Sequence, residues 1–133
     1  MDVENLIKVI NRCAVNVVTE LGSGFLEAIY HKALIIELKE HGITDIKSEV
    51  PIQVYYKEQL IGEYKADLIV DNQIIIELKA VNQLDVIHEV QLVHYLTATK
   101  IDHGLLINFG GKRIEIKRKY RKFRSSIMAK KIS

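Results

Sequence analysis

Ala66-Asp67-Leu68-Ile69-Val70-Asp71-Asn72-Gln73-Ile74-Ile75-Ile76-Glu77-Leu78-Lys79 is the stretch on which the fold turns. Residues 60–70 read as a strand, Asp71-Asn72 as a short turn, and residues 73–79 as a strand whose nearly continuous apolar run needs cover on both faces. So short a turn makes the two strands antiparallel, and Asp67 and Glu77 can then be neighbours. Period-2 geometry puts Glu77 and Lys79 on one face. Charges at the end of a buried strand lose hydration unless they are paired or hold an ion. Two carboxylates converging beside a lysine suit a hard divalent cation such as Mg²⁺, which takes oxygen ligands at about 2.0–2.1 Å and keeps several waters. Water bound there loses a proton more easily, and the lysine can orient it. The plain alternative is a Glu–Lys ion pair capping the sheet, and these three residues alone leave both readings open.

Working outward, residues 50–56 are rich in β-formers, Lys57-Glu58-Gln59 is a turn, and Gly62 suggests a bulge, which completes a three-stranded meander. Upstream, Val3, Leu6, Ile7, Ile10, Ala14, Val17 and Val18 follow a helical period and predict a helix to about Leu21. Gly22-Ser23-Gly24 interrupts it. Ser23 or Gly24 is expected to start a second helix through Phe25, Leu26, Ile29, Tyr30, Ala33, Leu34 and Leu38, ended by Gly42. Downstream, Asp85 is expected to cap a helix running to about Thr99. Residues 103–109 and 113–117 read as strands around Gly110-Gly111, a two-glycine hairpin signal. The expected order is ααβββαββ, an α/β fold.

The 133 residues are 48% apolar and 27% charged with one proline, which suits a single domain over 1–133 that closes its own core. The lone Cys13 excludes a disulfide framework or a thiolate zinc cage and reads as a buried structural thiol in a reducing, cytoplasmic setting. Met1-Asp2-Val3-Glu4 lacks the positive charge of a signal peptide, and no apolar run approaches about 20 residues, so no membrane is expected. Net charge is +2, but it is split along the chain. From Lys112 onward ten cations (Lys112, Arg113, Lys117, Arg118, Lys119, Arg121, Lys122, Arg124, Lys130, Lys131) face only Glu115, for +9, and the preceding residues carry −7. Such a basic end either binds a polyanion by displacing counterions from phosphates or is simply a solvated terminus.

Asp67 followed by Glu77-Leu78-Lys79 resembles the signature of the PD-(D/E)XK nuclease superfamily, and the αβββαβ order around it resembles that superfamily's core. Gln91-Leu92-Val93-His94-Tyr95 is similar to the Gln-x-x-x-Tyr element of RecB-like members. Gly24-Phe25-Leu26-Glu27-Ala28-Ile29-Tyr30 resembles the Gly-x-x-Glu-x-x-Tyr motif of the GxxExxY family. The resemblance spans roughly residues 15–123, with Ala66 standing where the superfamily's name has proline. It implies a restriction-endonuclease-like core: a central mixed sheet flanked by helices. It also implies that Asp67, Glu77 and the Leu78 carbonyl ligate Mg²⁺ or Mn²⁺, and that Lys79 positions the attacking water. Glu27 would join or support the metal cluster, although by itself it reads as a glutamate favoured by the macrodipole in a first helical turn. Tyr30 lies on the same helical face. Gln91 and Tyr95, with His88, form a polar stripe that the motif assigns to the lysine, the metal site or a phosphate, where a solvated face is the simpler reading.

Other residues say less. The glycine clusters lack a following Lys-Ser or Lys-Thr, so nucleotide triphosphate hydrolysis is not expected. His31, His41, His94 and His103 show no metal-ligand spacing and read as structural or surface residues. Tyr120 and Phe123 lie among cations and could stack bases or pin the tail to the core. The resulting expectation is a Mg²⁺- or Mn²⁺-dependent nuclease acting on DNA phosphodiester bonds, with Lys112, Arg113, Lys117, Arg118, Lys119, Arg121, Lys122 and Arg124 binding nucleic acid. The alternatives are a catalytically weak nucleic-acid-binding or protein-interaction module on the same fold, with a homo-oligomer or protein partner, and a hydrolase of small phosphorylated metabolites.

Overall fold

In a computed structural model, which describes residues 1–121, the Asp2 carboxylate starts α1 (Val3–Leu21) by accepting from the Asn5 N–H at 2.9 Å. Its apolar face buries Leu6, Ile7, Ile10, Cys13, Ala14 and Val17. The second helix, α2 (Glu27–Glu40), begins three residues later than the glycines suggest, with Leu26 as its N-cap and no side-chain cap. Gly22 and Gly24 instead hold φ of +76° and +104° in the connecting loop. That loop is fixed by Tyr30, whose hydroxyl donates to the Gly22 carbonyl at 2.7 Å and accepts from the Phe25 N–H at 3.2 Å. At the other end of α2, Gly42 takes φ +84° and the Ile43 N–H turns back to the Leu38 carbonyl, a glycine-based helix stop.

Five strands follow: β1 (Ile46–Tyr56), β2 (Gln59–Val70), β3 (Ile74–Lys79), β4 (His103–Asn108) and β5 (Glu115–Tyr120), with α3 (Val86–Thr99) between β3 and β4. They lie side by side in chain order, all neighbours antiparallel except β3 and β4. That parallel pair needs a crossover connection, and α3 supplies it. The mixed sheet and the ααβββαββ order are those expected, although β1 starts four residues before residue 50 and β5 lies two to three residues later than anticipated. Lys57-Glu58 and Asp71-Asn72 all take positive φ, between 48° and 66°. This is the left-handed pair that a two-residue turn needs to match the twist of its strands. The β1–β2 register slips between Val54 and Tyr55 and leaves Ile61, beside Gly62, without a partner in β1.

The sheet carries a core on each face. Leu68, Val70, Ile74, Ile76, Leu78, Leu105 and Ile107 pack with α1 and α2, while Ile69, Ile75 and Leu106 pack with Leu92, Tyr95 and Leu96 of α3. Each such aliphatic side chain contributes about 1.5–3 kcal/mol by leaving water. Covered on both sides, β3 is the centre of the molecule. Among the described residues no helix is long and apolar enough to cross a membrane.

The β4–β5 connection departs from the expected two-glycine hairpin. Residues 109–114 form a longer loop that packs on the chain leaving β3, and a Cβ at Gly110 would lie 2.4 Å from the Ala80 carbonyl carbon. Gly110 is there for close backbone approach.

Candidate active site

The site arises where β2 and β3 stop pairing. Their ladder runs from Val70–Ile74 to Leu68–Ile76, and side chains replace the backbone bonds beyond it. The Asp67 N–H donates to Glu77 Oε1 at 3.0 Å, and the Leu78 N–H donates to Asp67 Oδ2 at 2.7 Å. Each carboxylate thus holds the other strand's backbone, and the two acids sit side by side with one oxygen of each still uncommitted to these bonds. On the other side of β2 the β1 ladder also skips Asp67: Ser48 pairs with Leu68 and Val50 with Ala66, while Glu49 between them takes φ +52°. A glutamate in that conformation costs on the order of 1 kcal/mol, and it lies opposite the acid.

The electrostatics are those of an under-compensated cluster of acids. Glu77 is only 5% exposed, and burial followed by the Asp67 charge pushes its carboxyl up to about 8, against the opposing pull of the Asp67 N–H and Lys79. Glu27, in the first turn of α2, is also raised, first by burial and then by Asp67, while Lys79 and His31 pull it down. Tyr95 is pushed up to about 12 by burial and by the charges of Glu77 and Asp67. Its ring meets Tyr64 of β2 at 5.6 Å between centroids. Glu27, Asp67, Glu77, Lys79 and Tyr95, drawn from α2, β2, β3 and α3, therefore share one field. The Glu27 carboxylate feels the charge of Asp67 and adds to the field at Glu77, without being grouped with the two acids within 4.8 Å.

Other candidate residues are placed differently. Gln91 is half-buried one turn before Tyr95. His88 is spent on the capping box of α3, where its Nδ1 accepts from the Asp85 N–H at 3.1 Å. Tyr30 is fully buried and stacks on Phe109, rings nearly parallel at 4.6 Å, so its hydroxyl holds the loop before Glu27 and does not reach the carboxylates. Gly24 lies within that loop.

Of the six cations of the basic segment among the described residues, four are tied to the body. Lys117 pairs with Glu89 at 3.2 Å and Lys119 grips the same carboxylate. Arg118 makes two bonds to Glu4, at 2.9 and 2.7 Å, and Arg121 binds Asp102. Lys112 and Arg113 are exposed on the β4–β5 loop, whereas Lys122 and Arg124 lie outside the described residues.

One structurally central residue is not apparent from sequence. Asn108, at the end of β4, is fully buried; its Oδ1 accepts from the Val81 and Gly110 N–H groups at 3.0 and 3.1 Å, and its Nδ2 donates to the Val81 carbonyl at 2.9 Å. It stitches the exit of β3 to the β4–β5 loop just beyond Lys79. Its sole sequence signal is a polar residue closing an apolar strand, which also describes an ordinary strand end.

Comparison with known proteins gives three findings. A family model described as the PD-(D/E)XK nuclease superfamily matches residues 4–120. Among solved structures, that of the protein SSO0001 superposes with a TM-score of 0.57 at 22% identity, over 77% of this chain and 58% of the other, a likeness of fold. This chain therefore spans little more than half of that protein's length. No curated protein matches.

Proposed function

Because the chain belongs to the PD-(D/E)XK nuclease superfamily, we propose that it is a divalent-metal-dependent nuclease that hydrolyses DNA phosphodiester bonds with Asp67, Glu77 and Lys79. The reading rests on the reciprocal bonding of Asp67 and Glu77 at the end of a doubly covered strand, with Lys79 two residues on. Hard oxygen donors in a partly buried cluster of acids fit Mg²⁺ or Mn²⁺ better than softer ions. Asp67, Glu77 and the Leu78 carbonyl would hold the ion, which when bound polarises the phosphate and makes water acidic enough to attack.

The chain's own groups do the rest. Lys79 orients the attacking water and faces the charge that develops on the phosphoryl oxygens. Glu27, coupled to Asp67 and Glu77, would join the ion or orient the waters around it. Tyr95 keeps its phenolic proton throughout the working range and is a donor toward the acids or a phosphate oxygen. Gln91 offers an amide on the same helix face. The Gly24, Glu27 and Tyr30 motif supports reading the chain as a member of the GxxExxY family within the superfamily, acting as one domain over 1–133. Among the described cations from Lys112 onward, the exposed Lys112 and Arg113 would hold the nucleic acid, the others being engaged by Glu4, Glu89 and Asp102.

Cleavage of linear, nicked, single-stranded and structured DNA, with RNA alongside, in Mg²⁺ and in Mn²⁺ tests this. Cutting should require the ion, and Asp67→Asn, Glu77→Gln and Lys79→Ala should each lose at least about a hundredfold. Equal cutting by Asp67→Asn, or none by the wild type with any substrate, would overturn it.

A further inference from the structure

On the opposite side of the sheet, where α1 crosses α2, we propose a second and softer metal site formed by Cys13, Glu37 and His41, taking one Zn²⁺. One ligand atom from each of the three lies within 4.8 Å of the others, and no other group of three such side chains among the described residues does so. Glu37, in the last turn of α2, and His41, its C-cap residue, are four apart, while Cys13 lies on the buried face of α1. Thiolate, imidazole and carboxylate are the donors zinc accepts, at about 2.3, 2.0–2.1 and 2.0–2.2 Å. A tetrahedral ion at such lengths holds its ligand atoms about 3.5 Å apart, so small side-chain rotations close the shell and a water fills the fourth position.

The surroundings resemble those of a metal centre. Asn16 Nδ2 donates to Glu37 Oε2 at 2.9 Å and fixes the carboxylate. His41 Nδ1 lies 3.6 Å from Glu37 Oε2 and 3.0 Å from the Glu37 carbonyl, to which only a protonated Nδ1 can donate, so that ligation uses Nε2 or follows release of this backbone bond. Cys13 has no solvent exposure, but the side chains of Glu37 and His41 are 20% and 32% exposed, so the ion reaches the sulfur from the outer edge. Binding releases the thiol proton to solvent, and Zn²⁺ with one thiolate, one carboxylate and a neutral imidazole is a neutral unit, which an apolar helix interface tolerates. The consequence is a pin across α1 and α2, the helix whose other end carries Glu27. Sequence alone makes Cys13 a structural thiol and His41 a structural or surface residue, since 24 and 28 residues separate the thiol from the other two donors.

Co²⁺ added to the chelator-stripped full chain is the probe, because thiolate-to-cobalt charge transfer absorbs in the near ultraviolet and reports sulfur ligation. One equivalent should give the band, Zn²⁺ should displace it, and excess Mg²⁺ should leave it. Cys13→Ser should abolish the band. His41→Ala, at the solvent edge, should weaken Co²⁺ by at least about tenfold while leaving the far-ultraviolet circular dichroism of the fold in place. Asp67→Asn should change nothing, which separates this site from the proposed nuclease centre. No band in the wild type, or a band of equal affinity in His41→Ala, would show an ordinary thiol beside an i,i+4 His–Glu pair and end the proposal.

Discussion

At Glu77 one carboxyl answers to two demands. In the metal-free protein its pKa stands near 8 against an ordinary 4.5, so the folded state binds that proton more tightly than the unfolded chain. The associated stability is fully present below about pH 4.5 and is lost as pH rises through 8, on the order of a few kcal/mol. Thermal melts of the stripped protein between pH 5 and 8.5 should therefore fall more steeply for the wild type than for Glu77→Gln, which has nothing to ionise. At pH 8, where the empty cluster is most repulsive, added Mn²⁺ should raise the wild-type Tm and leave Glu77→Gln much less affected. Parallel melts for the two proteins would mean that Glu77 is already ionised at neutral pH and that Asp67 and Lys79 compensate one another.

At the scale of elements, the loop after β4 holds the end of β3, and Asn108 is its fastening. Asn108→Ala leaves the Val81 N–H and carbonyl and the Gly110 N–H without their partners, at about 1–3 kcal/mol for each group that stays dry. Gly110→Ala drives a methyl into the Ala80–Val81 backbone and should cost about 1–3 kcal/mol. Both should lower the unfolding midpoint in denaturant and reduce cleavage more than the stability loss explains, since Lys79 is adjacent. A Leu92→Val control on α3, which trims the other core, should affect stability alone. These two positions also mark where the sequence stops being legible. The strands around Asp71-Asn72 and the cap at Asp85 can be read because turn chemistry and side-chain period are local. Gly110-Gly111 mimics a hairpin signal because its real constraint comes from Ala80, thirty residues away. The start of α2 is not marked in the sequence because a buried tyrosine hydroxyl, not a capping side chain, fixes its loop. Asp67 meeting Glu77 is legible for the opposite reason: a two-residue turn makes a ten-residue separation into a neighbour relation.

Over the whole molecule the charge split is less one-sided than the chain order implies. Folding brings Glu4, Glu89 and Asp102, all from the acidic part, onto β5 and the residue after it, where they engage Arg118, Lys117 with Lys119, and Arg121. A cation already paired must exchange one anion for another when it meets a phosphate, so its net gain from counterion release is small. Lys112 and Arg113 differ: they are exposed, and their loop packs against residues 80–82, directly downstream of Lys79. A phosphate chain held at the proposed centre has these two exposed cations, unpaired among the described residues, on the loop next to the exit of β3. The slope of log K against log salt for duplex binding should therefore shrink by up to roughly 1.8 in the double variant Lys112→Ala, Arg113→Ala, about 0.9 for each phosphate that is no longer neutralised. Lys119→Ala should leave that slope nearly unchanged and register mainly in a small drop of the melting temperature, since Glu89 keeps Lys117. The reverse pattern would mean that β5, its acids displaced, is the surface the nucleic acid occupies.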